Sequence, residues 1–455
     1  MNKEISRREL RRTARAFRGG SALGCASGTF PRPVGDSDGG KGGGRPNFVV
    51  IFADDLGYGD LGCYGAEAIQ TPELDRMASE GLRFTSFYVC CPVCSPSRAG
   101  LLTGRYPGRT SVHRVFFPTS ADGLPPQEIT LGQRLQDCGY ATACIGKWHL
   151  GHLPPYLPTR RGFDRYFGVP YSNDMDRKES GYPPLPLMRD EEIVERPVDQ
   201  DTLTGKYTEE AVRFIRDCRE RPFFLYLAHT MPHVPLHTSD AFRGRSARGL
   251  YGDVVEEIDW SVGRVLDELR RLGLAERTLV IFTSDNGPWL AKGEHGGSAG
   301  PLREGKATTF EGGVRVPCIA WHPGAIAAGR TVDAPAITLD LFPTFVRMAG
   351  GVVPDDRVID GCDIFGMLYG KAKRRHDEFF FYIGDQVDAH RSGPWKLKRA
   401  FRGHVHGKPI EHPTLLFNLE EDPGERVNLS DAYPDITARL ALRASAFQQE
   451  ACPGT

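Results

Sequence analysis

Several short stretches of this chain carry side chains that do chemistry. Cys94-Ser95-Pro96-Ser97-Arg98 sets a thiol one helical turn ahead of a guanidinium. Asp54-Asp55 and Ser284-Asp285-Asn286-Gly287 supply hard oxygen donors, which suit Ca²⁺ or Mg²⁺ and not a thiolate-seeking metal. Lys147, His149, His233 and Lys306 add ammonium and imidazole groups. Taken singly, each has a plainer reading. A cysteine before a helix is usually an inert buried thiol. A lone aspartate at a strand end is a turn or cap residue. A lone lysine is a solvated charge, and a lone histidine is a satisfied core or loop residue. Gathered around one nucleophile, a metal, three cations (Arg98, Lys147, Lys306) and two histidines describe a site for a tetrahedral oxyanion ester. Such groups stabilise charge that builds on the transferred group and on the leaving oxygen, so hydrolysis of a phosphate or sulfate ester is the natural class.

The elements must bring these stretches together. Residues 47–53 (NFVVIFA) are a continuous apolar run, the pattern of a strand buried on both faces, and it ends in Asp54-Asp55. Two adjacent carboxylates there require positive charge beside them. Thr71-Pro72 reads as N-cap and first position of a helix stopped by Gly81. Residues 83–89 form a strand that leads to Cys94, and residues 95–102 a helix whose N-terminus favours an anion at Cys94. A capped helix over 130–138 precedes a strand over 140–145, which ends in Gly146-Lys147-Trp148-His149. Residues 154–186 read as long loops, and 208–219 as an amphipathic helix. An apolar strand over 223–228 is followed by His229, His233 and His237. The longest helix, 251–272, places Val254, Val255, Ile258, Val262, Val265, Leu266 and Leu269 on one stripe. A strand over 278–282 leads to Asp285-Asn286. This alternation predicts an α/β fold, a mostly parallel sheet flanked by helices. Ligands bind beyond the carboxyl ends of such strands, so the chemical stretches share one edge although they are far apart in sequence. After 374 the pattern changes to short strands over 379–383, 395–399 and 414–419 and a helix over 434–449, a small antiparallel sheet plus helix.

The predicted organisation is therefore residues 1–45 as a tail, 46–375 as the catalytic domain and 376–455 as a C-terminal α+β subdomain. Arg7-Arg8 in the tail resembles a twin-arginine export signal, and Ala22-Leu23-Gly24-Cys25 loosely resembles a lipoprotein box. The expectation is an exported protein of the periplasm or cell envelope. No apolar run reaches the ~18 residues needed to span a bilayer. The formal net charge of −1 and the absence of a binding motif argue against nucleic acid. The 11 cysteines form no paired knuckles, so a structural zinc site is not expected. Cys91 and Cys94 make one CxxC, but the neighbours of Cys94 fit the ester chemistry better than a redox site.

Cys94-Ser95-Pro96-Ser97-Arg98 with Leu102-Thr103-Gly104-Arg105 resembles the signature of the type I, formylglycine-dependent sulfatases. Ala53-Asp54-Asp55, Gly146-Lys147-Trp148-His149-Leu150-Gly151, Ser284-Asp285-Asn286-Gly287 and the stretch from Gly305-Lys306 to Gly312-Gly313 resemble further family blocks in family order. A C-terminal block from Phe417-Asn418-Leu419 to Asn428-Leu429 completes the set. Gly296-Gly297-Ser298 through Phe310 resembles most closely the branch of arylsulfatase A and N-acetylgalactosamine-6-sulfatase, which implies a sulfated sugar, or else an aryl sulfate, as substrate.

The resemblance implies an alkaline-phosphatase-like fold. It also implies oxidation of Cys94 to formylglycine by a formylglycine-generating enzyme. An aldehyde hydrate has two hydroxyls: one attacks sulfur, and deprotonating the other expels sulfate and restores the aldehyde. By the same resemblance, Asp54, Asp55, Asp285 and Asn286 hold Ca²⁺ together with the oxygen at position 94. Arg98 supports the hydrate and the metal carboxylates, and His149 orients the hydrate and promotes elimination. Lys147, His233 and Lys306 clamp the sulfate, with His233 or Lys306 protonating the leaving alcohol. His233 is chosen over His229 and His237 by its place before Val234-Pro235. Ser172 resembles a substrate contact. Two other readings compete: a phosphate or phosphonate ester hydrolase of the same superfamily, and a sulfated-glycan binding protein without turnover.

Overall fold

The structure, a computed structural model, describes residues 44–176, 178–371, 376–405 and 408–452. The twin-arginine pair and Cys25 lie outside the described residues.

Strand β1 (Asn47–Ala53) is buried at every position. Its side chains alternate, as strand geometry requires. Phe48, Val50 and Phe52 enter one hydrophobic core, and Val49, Ile51 and Ala53 enter the other. An apolar run without polar alternation is thus a strand that divides two cores. Each such side chain contributes about 1.5–3 kcal/mol by leaving water.

Along the chain come α1 (Pro72–Glu80), β2 (Leu82–Tyr88), α2 (Cys94–Thr103), α3 (Leu131–Asp137), β3 (Ala141–Gly146), β4 (Arg165–Gly168), β5 (Leu187–Arg189) and β6 (Glu192–Glu195). After these stand α4 (Leu203–Asp217), β7 (Phe223–Ala228), α5 (Leu250–Arg271), β8 (Thr278–Ser284), β9 (Arg315–Trp321), β10 (Arg330–Val332), β11 (Ala336–Ile337) and α6 (Leu341–Met348). The strands form one sheet in the order β10-β2-β9-β8-β1-β7-β3-β4-β5-β6, with β11 also on β2. The centre, β8-β1-β7-β3-β4, is parallel. Strand β9 runs antiparallel to both β8 and β2, and the β5–β6 hairpin is antiparallel at one edge. Helices α1, α4 and α5 cover one face, and α2, α3 and α6 the other. All seven residues of the predicted α5 stripe are in the core that holds Val49, Ile51 and Ala53.

Two local expectations need correction. Thr71 makes no side-chain cap on α1. Its hydroxyl accepts from Gly62 N–H and donates to Asp75. The start of α1 is capped from outside by Asp259 of α5, whose carboxylate accepts from Glu73 and Leu74 N–H at 3.2 and 2.8 Å. Replacing Asp259 by alanine is expected to cost about 1–2 kcal/mol, the range for a lost N-cap. A urea midpoint measurement checks it; an unchanged midpoint would show that water caps α1 equally well. The second correction is in 154–186, read as loops throughout. It contains β4, whose Tyr166 and Phe167 pair with Cys144 and Ile145 and extend the parallel sheet.

The C-terminal part has β12 (Glu378–Ile383), β13 (Gln386–Ser392), β14 (Trp395–Lys398), β15 (Phe401–Val405), β16 (Lys408–His412), β17 (Leu415–Asn418) and α7 (Pro434–Ala451). Strands β12-β13-β14-β17 form an antiparallel sheet, and β15–β16 a separate hairpin. Phe379–Tyr382 of β12 and Phe447 of α7 join the core beneath α2 and α6, and Phe380 stacks on Phe447 at 3.7 Å.

Candidate active site

Register explains why distant residues meet. Ala53 pairs with Ser284, Phe52 with Ala228, and Ala228 with Gly146. Strands β8, β1, β7 and β3 therefore end at one level, and each next delivers its polar residues: Asp285-Asn286, Asp54-Asp55, the His229–His237 segment, and Lys147-Trp148-His149. The backbone ladder runs past the strand ends, with Asp285 N–H on Ala53 O (3.1 Å), Lys147 N–H on Ala228 O (2.7 Å) and Asp54 N–H on Met231 O (3.1 Å). Asp55 and His149 leave their strands with φ of +67° and +60°. Left-handed backbone at non-glycine residues costs about 1–3 kcal/mol each and is commonest at functional sites.

Helix α2 comes in from β2, and the helix begins at Cys94 itself, one residue earlier than expected. All ten of its residues are buried. Cys94 Sγ lies 3.5 Å from Asp54 Oδ1 and 3.8 Å from Lys306 Nζ. Arg98, fully buried, donates from Nε and Nη2 to Asp285 Oδ2 at 3.1 and 2.7 Å, and from Nη1 to Lys147 O at 3.1 Å. Its Nη2 is also 3.4 Å from Asp54 Oδ1. Lys147 Nζ bridges Asp54 Oδ2 (2.5 Å) and Ser172 Oγ (3.1 Å). Lys306 Nζ sits 2.7 Å from the Asp55 carboxylate. Asn286 Nδ2 donates to Asp55 Oδ1 at 2.7 Å.

The adjacent carboxylates therefore have the positive partners that their sequence demanded. Burial pushes the Asp54 carboxyl up, but Lys147, His233 and Arg98 outweigh it and hold it at about 2. The Cys94 thiol moves the other way. Burial raises it well above its usual value in spite of Lys147 and Lys306, so it stays protonated and weakly nucleophilic. Cys91 and Cys94 are separate free thiols.

Of the three histidines after β7, the structure brings only His233 to the site, with Nε2 3.6 Å from Asp55 Oδ2. His229 faces Ser261 of α5, and His237 pairs with Asp201. Burial and then Lys306 lower His233 below the usual imidazole range. His149 is buried beside Lys147 and Arg98, and burial, together with those charges, holds it well below that range. Its Nε2 lies 3.0 Å from the Phe116 carbonyl, an acceptor, so Nε2 carries the proton and Nδ1 the lone pair. Among the described residues, Nδ1 is buried without a partner.

A cation fits this donor set. Oxygens of Asp54 and Asp55, Cys94 Sγ and a nitrogen of His233 all lie within 4.8 Å of one another. Asn286 Oδ1 is buried on the same edge and unpartnered among the described residues, an acceptor left for a ligand. The donors are hard except the thiol, which conversion to an oxygen function would bring into line. Among the described residues this is the one cluster able to hold a metal, and it has a single histidine.

Two neighbours were not singled out from the sequence. Asp174 is half-buried; burial raises its carboxyl, but His233, Lys147 and Ser172 lower it further. Its signal was its place two residues after Ser172. Trp289, also half-buried, has Lys306 Nζ 4.5 Å from its ring centre and the His233 ring 5.6 Å away. It comes directly after Asn286-Gly287-Pro288, and only its closeness to that motif marked it.

The comparisons with known proteins agree with this geometry. The Sulfatase family model matches residues 46–352, and the model for the C-terminal region of aryl-sulfatase matches 374–455. The chain belongs to the sulfatase family. It is 41% identical to human arylsulfatase A over 87% of this chain and 86% of that protein. It is 40% identical to human N-acetylgalactosamine-6-sulfatase over 89% of this chain and 85% of that protein. A sulfatase from Pseudoalteromonas, PsFucS1, superposes with a TM-score of 0.81 at 29% identity, covering 90% of this chain and 92% of that one. This protein is thus a sulfuric ester hydrolase with the mostly parallel, helix-flanked sheet expected of it.

Proposed function

We propose that this sulfatase cleaves the sulfate ester of a sugar, with Cys94 oxidised to formylglycine and Ca²⁺ held by Asp54, Asp55, Asp285 and Asn286. The setting of Cys94 carries the reading. A deeply buried, protonated thiol is surrounded by two ammonium groups, a guanidinium and three carboxylates, a poor place for thiol chemistry and a good one for an oxygen nucleophile on an anion. The hydrated aldehyde would supply the attacking hydroxyl and the cation would offset charge on the sulfate.

The chain's own groups do the rest. Lys147 and Lys306 both act on the charge at position 94 and neutralise charge growing on the transferred sulfate. Arg98 fixes Asp285 and Asp54, and its bond to Lys147 O ties β3 to α2. His149 Nδ1, kept as a free lone pair by the Phe116 carbonyl, is the acceptor for the proton whose loss releases sulfate. His233 or Lys306, both beside Trp289, gives a proton to the leaving alcohol. Ser172 and Asp174 border Lys147 and are the groups we assign to contacting the substrate. The name of one relative, N-acetylgalactosamine-6-sulfatase, supports a sugar as that alcohol. The oxidation is the work of a formylglycine-generating enzyme. Since every residue of α2 is buried, that enzyme must meet the signature before the chain folds.

Chelation tests the metal. Enzyme treated with EDTA and desalted is expected to lose more than about nine-tenths of its activity, and Ca²⁺ to restore it. Full activity after verified metal removal would refute the cation. Parallel rates on 4-nitrophenyl sulfate and 4-nitrophenyl phosphate test the ester class, and a preference for phosphate would favour the phosphate and phosphonate hydrolases. The single histidine in the metal cluster gives no support to a two-zinc phosphatase.

A further inference from the structure

The loop that carries Lys306 is held in a costly shape. Glu304 and Ala307, on either side of it, have φ of +59° and +68°. Non-glycine residues stay there only when their surroundings over-determine them. Part of the hold is local: Lys306 N–H donates to Pro288 O and Ala307 N–H to Pro92 O, both at 2.9 Å. A further hold comes from the C-terminal sheet, which takes hold of three successive side chains, those of Thr309, Phe310 and Glu311.

Thr309 Oγ1 bonds the Asp388 carboxylate and accepts from Lys398 Nζ at 3.0 Å. Phe310 packs with Leu415, Phe417 and Leu419. Glu311 accepts from Lys396 Nζ at 2.8 Å and from Tyr88 at 2.7 Å, and its N–H donates to Glu425 at 2.6 Å. Lys396 and Lys398 are two apart on β14, so they share a face, while Leu397 points the other way, to Leu416 and Leu440. Both lysines are buried, at 0% and 4% exposure. Buried ion pairs are a poor source of stability compared with apolar packing, but they specify geometry.

We propose that β14 is a positioning device for Lys306, with Lys398 and Lys396 as positioning residues that act through Thr309 and Glu311. The inference rests on the role given to Lys306 above. It assigns the C-terminal sheet a part in turnover beyond closing the core.

The test is a double-mutant cycle on the full-length matured enzyme, assayed with 4-nitrophenyl sulfate well below each variant's unfolding temperature. Lys398→Met is expected to lower kcat/KM about 10- to 100-fold, since small misplacements of a reacting group reach that size. Thr309→Val, which keeps the packing and removes only the hydroxyl, is expected to show a smaller loss in the same direction. In a Lys306→Ala background, neither change should lower kcat/KM further, because nothing is left to position. Losses that multiply in that background would overturn the inference, as would wild-type kcat/KM in folded Lys398→Met. A Lys306→Ala enzyme that keeps full activity would instead overturn the role of Lys306 itself, and the inference with it.

Discussion

Replacing Cys94 by alanine is expected to lower turnover by at least about 10⁴-fold, in line with losses of up to roughly 10⁶ when a nucleophile is deleted. The fold survives, because the change removes one sulfur from a site where Sγ makes only long contacts, at 3.5 Å to Asp54 and 3.8 Å to Lys306. Circular dichroism and the melting temperature should therefore stay close to wild type while the rate collapses. Serine at 94 is more diagnostic. One hydroxyl can attack once, but it has no second hydroxyl whose deprotonation would expel the sulfate. The expected result is at most one equivalent of alcohol released per enzyme and then silence. Steady turnover by an unmodified serine enzyme would contradict the need for a hydrate.

Arg98→Met tests structure and function together, and its expected effect on stability is the largest. Arg98 is wholly buried and is held by Asp285 at 2.7 Å, by Asp54 at 3.4 Å and by the Lys147 carbonyl at 3.1 Å. Methionine fills much of the volume but leaves Asp285 without its ion pair. Breaking a buried pair from one side costs about 3–5 kcal/mol. Activity should fall with it, because Asp285 and Lys147 lose the tie that fixes them across β8 and β3. Denaturant unfolding measures the first effect and assays on the folded fraction the second. A stability loss under about 1 kcal/mol would show that Asp285 finds another partner, such as Lys147.

Much of this site is legible in the order of residues alone. The run at 47–53 has no polar alternation and only seven residues, the pattern of a strand between two cores, and neighbouring strands of that kind set their C-terminal turns along a common edge. That physics gathers Asp54, Lys147 and Asp285 without reference to any relative. The choice among His229, His233 and His237 is different. Spacing alone does not separate them; the resemblance picks His233 by its place before Val234-Pro235, and the physical reason, the packing of α5 that presents Ser261 to His229, is visible only in the fold.

The parts that were not legible have physical causes too. Strand β13 reads QVDAHRS, too polar for a buried strand, yet Val387–Arg391 is buried. Each polar side chain meets a partner from another strand: Asp388 meets Lys398, His390 meets Glu378, and Arg391 meets Tyr88. Pairing across strands leaves no periodic trace. The cap of α1 failed for a similar reason: Asp259, 185 residues from Leu74, displaced the local candidate Thr71. Trp289 and Asp174 are short-range neighbours of known motifs, but only the third dimension shows that they look into the site.

The most direct measurement is mass spectrometry of the peptide containing Cys94, taken from active enzyme purified from its natural host. The prediction is an aldehyde at position 94, trapped as a hydrazone by a hydrazine probe, in a fraction that tracks specific activity. An unmodified thiol at Cys94 in fully active enzyme would contradict the mechanism.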